Sequence, residues 1–171
     1  MNEEQRRIRG YLQAQGAKLS PSDVIDKVRA AMAELRAAAL AVPAARFEQR
    51  PAPEEWSGHE VMAHVVDAGR HFGDQVVAIL EGHARPAPAR EGPAGTSGAA
   101  RRTAAEWCAV LERDREALFT RALAAEPTAH LTEPIEHRMF GPLNWRETML
   151  FMRLHDLDHA GQLEKIAAAL G

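Results

Sequence analysis

The nine residues Leu154-His155-Asp156-Leu157-Asp158-His159-Ala160-Gly161-Gln162 decide how the chain is read. Their two histidines stand four apart, a spacing that stacks both imidazoles on one face of a helix. Stepping by three or four from Trp145 gives Thr148, Met152, His155, His159, Gln162, Ile166 and Leu170, the row that otherwise supplies core side chains. The pair is therefore expected to point inward. Two neutral imidazoles so placed can grip one metal ion at about 2.0–2.1 Å. An inward histidine is more often a satisfied core residue, so the pair alone does not decide its chemistry.

Upstream of the pair, four stretches share one pattern: Ser20-Pro21-Ser22-Asp23, Ser57-Gly58-His59-Glu60, Thr103-Ala104-Ala105-Glu106 and Asn144-Trp145-Arg146-Glu147. Each sets a capping side chain three residues before a carboxylate, which predicts four helix starts. The first helix is expected to run to about Val42, with Val24, Val28, Ala31, Leu35 and Ala38 inward and Pro43 as its stop. The second is expected to reach about Glu81, with Trp56 and Val61 forming a hydrophobic staple and with His64 and His71 on its buried side. The third runs through Trp107, Val110, Leu111, Leu118 and Ala122 to about Ala125, and the last extends to Leu170. Asn2 to about Gln15 reads as a short amphipathic helix closed at Gly16, or as a frayed tail.

The stretches from Gly82 to Arg102 and from Glu126 to Leu143 show no periodicity and read as long loops. The expectation is one all-α domain over residues 1–171, a four-helix bundle with long crossover loops and a short N-terminal extension over 1–19. Up-down-down-up and strict up-down orders both fit. A second apolar row on the last helix, Leu150, Leu154 and Leu157, suggests a surface for self-association.

Composition narrows the function. With 171 residues and 46% hydrophobic content the chain can bury a sizeable core, and its 5% aromatic content and abundant alanine favour helix. Twenty-one Lys and Arg against twenty-four Asp and Glu leave a net charge of −3, with no basic block able to track a phosphate backbone, so nucleic acid is not an expected partner. No apolar run suits a membrane span, and the N-terminus lacks the apolar stretch of a signal peptide, which points to the cytoplasm. The one cysteine, Cys108, falls among core positions and reads as a small buried hydrophobe.

The second and fourth helices together offer His64, His155 and His159, three neutral donors from facing elements. Three histidines leave coordination positions open, which suits catalysis better than a closed structural site. Here Trp56-Ser57-Gly58-His59-Glu60-Val61-Met62-Ala63-His64 and His155-Asp156-Leu157-Asp158-His159-Ala160-Gly161-Gln162 resemble the Trp-Ser-x-x-Glu-Val-x-x-His and His-x-x-x-His-x-x-Gln patterns of the DinB-like or YfiT-like metal-binding helical bundles. The resemblance implies that His64, His155 and His159 are the metal ligands. It implies zinc or nickel, sometimes manganese or iron, a homodimer, and transfer of a low-molecular-weight thiol such as bacillithiol, mycothiol or glutathione to an electrophilic small molecule. The alternatives are a metal-dependent hydrolase, since an open metal also acidifies water, and a non-catalytic metal-containing binding or stress-response module. His71 stands as a reserve ligand one heptad from His64. Asp67 or Asp158 is expected to accept a hydrogen bond from a ligand imidazole.

Overall fold

A computed structural model describes residues 1–86 and 100–171. Five helices carry the chain: α1 Glu3–Lys18, α2 Pro21–Ala41, α3 Gly58–Glu81, α4 Ala104–Ala124 and α5 Trp145–Leu170. All five open on a reciprocal capping box, in which the cap side chain accepts from a backbone N–H three residues on and that residue's side chain accepts from the cap N–H. The four starts read from the sequence are all present. The fifth is Asn2 with Gln5, the same pattern written with amides.

α1 corrects one expectation. The helix does not close at Gly16 but runs on to Lys18, and Gly16 is buried where a Cβ would stand 2.8 Å from Glu147 Cγ. That glycine is a point of close approach between α1 and α5 rather than a stop. The stop glycine is Gly82, in the left-handed region at φ 67°, where the His83 N–H donates to the Ala78 carbonyl at 2.8 Å and closes α3. The expected loop from Gly82 to Arg102 lies largely outside the described residues.

Cross-helix pairs fix the order of the bundle. On α3 and α4, His59 meets Trp107, Arg70 meets Asp114 and Glu81 meets Arg121, so these neighbours run parallel. His64 meets His155 while Phe72 meets Phe151, which makes α3 and α5 antiparallel. Arg46, just beyond α2, donates to the Leu170 carbonyl at the end of α5, and Val24 near the start of α2 shares a core cluster with Trp145. α2 and α5 are thus parallel, and the order is up-down-down-up. Around the bundle the helices follow one another as α2, α5, α3 and α4, leaving α4 and α5 at opposite corners.

The connection from Glu126 to Leu143 is not all loop. Ile135–His137 pairs with Gly141–Leu143 in an antiparallel hairpin that buries Ile135, His137, Phe140 and Leu143 against the bundle. Strands of three residues carry too little alternation to read from sequence. The Trp145 indole N–H donates to the Ala129 carbonyl at 2.9 Å and ties this connection to the start of α5. Leu150 is fully buried and Leu154 packs on the core, so most of that leucine row is used inside the chain rather than on a surface. Among the described residues no helix is long and apolar enough to cross a membrane.

The core falls into two apolar clusters. One gathers around Leu12, Val24, Trp145 and Met152, the other around Leu35, Val61, Trp107 and Leu163. On α5 the gap between Met152 and Ala160 holds His155, Asp156 and His159, and on α4 the gap between Leu111 and Leu118 holds Arg115. The middle layer of the bundle is polar.

Candidate metal centre

His64 arrives in this layer from α3, whose start is fixed by Ser57: its hydroxyl accepts from the Glu60 N–H at 3.2 Å while Glu60 accepts from the Ser57 N–H at 2.8 Å. His155 and His159 arrive from successive turns of α5. Their Nε2 atoms converge, with His64 to His155 at 3.1 Å and His155 to His159 at 3.2 Å, and one nitrogen from each ring lies within 4.8 Å of the other two. A tetrahedral ion with nitrogen ligands at about 2.0–2.1 Å separates those nitrogens by about 3.4 Å. The spacing therefore fits a cation between three lone pairs, and without one a single shared proton can satisfy only one pair of rings.

The charge state suits that role. Burial pushes the His155 imidazolium down to about 2, with His159, His64, Arg115 and His137 adding repulsion in that order. His64 is lowered as well, first by burial and then by His159, against a smaller opposing effect of Asp67. Both rings are held neutral, which is the ligating form. Nδ1 of His159 lies 2.8 Å from the Gln162 carboxamide oxygen. An amide oxygen only accepts, so the proton sits on Nδ1 and Nε2 is left free to bind.

Gln162, not a carboxylate, thus orients the ring. Asp67 and Asp158 are both exposed, and among the described residues neither hydrogen-bonds an imidazole of the triad. The signal for Gln162 was in the sequence, since it continues the inward row from His159. His71 packs edge-on to Phe72 at 5.2 Å between ring centres and stands outside the cluster. His59 accepts from the Trp107 indole N–H at 3.1 Å, a core hydrogen bond. His137 accepts from the Met139 N–H and lies among Phe72, Phe140 and Phe151, where burial pushes it down to about 4. Cys108 is buried, and that burial raises its thiol, so it stays protonated and unreactive.

Trp56 does more than staple the helix start. Its indole lies 5.1 Å from the His64 ring centre and stacks within 9° of the His159 plane at 6.5 Å, roofing the triad. Beside His159 opens a cavity of about 440 Å³, walled by Trp56, Gln162 and Ile166 and by the charged Glu54, Glu55 and Lys165.

A helical bundle whose middle layer gathers three converging imidazoles defines the chain as a bundle protein able to hold a metal ion. A family model for the DinB superfamily matches residues 15–163, and the chain belongs to that superfamily. Comparison with curated proteins and with solved structures gives no match.

Proposed function

We propose that His64, His155 and His159 hold one divalent ion, zinc or nickel ahead of manganese or iron, and that the protein transfers a low-molecular-weight thiol onto an electrophilic small molecule. The observation that carries the reading is the convergence of three imidazole nitrogens beside an open cavity. An all-nitrogen donor set suits these metals better than magnesium or calcium. A bound ion supplies Lewis acidity, which lowers the pKa of a coordinated thiol.

The chain's own residues do the remaining work. Gln162 keeps the His159 proton on Nδ1, and the neutral ligands leave the charge of the ion uncompensated. Trp56 packs its indole beside the rings of His64 and His159. Because both helices are packed on two core clusters, the donors are fixed by rigid elements, and the cavity beside them receives the small molecule. Replacing Gln162 with Leu removes the acceptor at nearly constant volume. Metal affinity, measured by competition with a coloured chelator, is then expected to fall about 10–100-fold.

The activity is tested by incubating metal-loaded protein with glutathione or cysteine and monobromobimane, with His155→Ala as the control. Thiol alkylation well above that control is expected. No excess rate with any thiol argues against transfer, and ester cleavage without thiol points to the hydrolase instead.

A further inference from the structure

The cavity beside His159 is lined by charges of both signs. Lys165 lies on α5, one turn beyond Gln162, while Glu54 and Glu55 lie on the turn that leads into Trp56. All three are exposed, and none forms an ion pair within 4 Å with any described residue. The nearby Arg50 feels Glu54, but its guanidinium is engaged by Glu60 and by the Pro53 carbonyl. A cation and two carboxylates therefore face one space without neutralising each other. The same space is lined by Trp56, by the apolar side chain of Ile166 and by His159 of the triad.

We infer that this cavity takes the head of a zwitterionic thiol, with Lys165 receiving its carboxylate and Glu54 and Glu55 its ammonium. The assignment rests on the thiol-transfer reading above, and it narrows the substrate class to thiols that carry both charges close to sulfur, in the manner of a cysteine head group. A neutral thiol fills the same space but leaves both charges unmatched. A thiol bearing one charge meets an attractive group on one side and a repulsive one on the other. The apolar wall suits the methylene beside the sulfur, and the ring of His159 is the cavity's boundary with the triad.

Four small thiols separate these cases: cysteine carries both charges, cysteamine only the ammonium, 3-mercaptopropionate only the carboxylate and 2-mercaptoethanol neither. Their binding to metal-loaded protein is measured by calorimetry, together with S-methylcysteine, whose sulfur has no proton to lose. Cysteine is expected to bind about tenfold more tightly than 2-mercaptoethanol and about threefold more tightly than cysteamine or 3-mercaptopropionate, each exposed ion contact giving a small factor. Lys165→Met should erase its advantage over cysteamine, and the double variant Glu54→Gln with Glu55→Gln its advantage over 3-mercaptopropionate. S-methylcysteine should keep the same dependence on Lys165. Equal binding of the four thiols overturns the assignment and leaves thiol transfer standing. A Lys165-dependent preference for S-methylcysteine, without alkylation of any thiol, keeps the assignment and removes the transfer reading.

Discussion

Arg115→Met is expected to lower folding stability by about 3–5 kcal/mol, among the largest losses any single substitution here should produce. Arg115 leaves α4, crosses the bundle and donates from Nη2 to Asp156 Oδ1 on α5 at 2.9 Å, with side chains 3% and 0% exposed. The two helices occupy opposite corners, so the pair spans the diagonal of the core. Gly69 on α3 makes the crossing possible, because a Cβ there would stand 3.3 Å from both Nε and Nη2 of the guanidinium. Burial raises the Asp156 carboxyl to about 6 even though Arg115 opposes that shift through charge and hydrogen bond. Without Arg115, Asp156 is left buried with no counter-charge. Asp156 also holds the turn between the two α5 histidines, so the loss should be felt at the triad. For a chain of this length the drop corresponds to roughly 6–20 °C in Tm. The double variant Arg115→Met with Asp156→Leu should recover most of it, because an apolar pair needs no desolvation. Urea denaturation followed by circular dichroism checks both. A single-variant loss below about 1 kcal/mol would mean that the pair is hydrated rather than buried.

His155→Ala is expected to lower metal affinity by well over 100-fold, more than loss of an outer hydrogen-bond partner such as Gln162 typically costs. His155 is the middle member of the triad, its Nε2 lying 3.1 and 3.2 Å from those of His64 and His159. Its removal leaves two donors, one per helix. Folding should be little affected in the metal-free protein, because the remaining two rings lose a crowded neighbour. His137→Ala should behave in the opposite way. Its ring fills an aromatic cluster with Phe72, Phe140 and Phe151, so stability falls while affinity holds. Chelator competition and thermal melts on the two variants separate the effects.

Much of this was legible in the chain because capping boxes and the 3.6-residue period are local signals. Ser20, Ser57, Thr103 and Asn144 each announced a helix that forms, and the phase of His64 against His155 and His159 placed all three inward. Harder to read were residues whose role is set by a distant element. Arg115 follows Leu111 by four and precedes Leu118 by three, and Asp156 falls between Met152 and Ala160. Both therefore lie on apolar rows, but only the crossing of α4 and α5 makes them partners. The helix order depended on which neighbours meet, a long-range property. Trp56 looked like a staple because its neighbour in sequence is a cap, whereas its ring lies over histidines from two helices. Gly16 looked like a stop because a buried approach to Glu147 leaves no mark in the local sequence.

The proposed function depends on metal binding by the three histidines in the polar layer between the two cores. Metal content by plasma mass spectrometry, on protein purified without chelators, tests it most directly. About one divalent ion per chain is expected in the unaltered protein and in His137→Ala, and almost none in His64→Ala, His155→Ala or His159→Ala, with each variant shown to be folded. Full metal content in any folded triad variant, or its loss in His137→Ala alone, would contradict it.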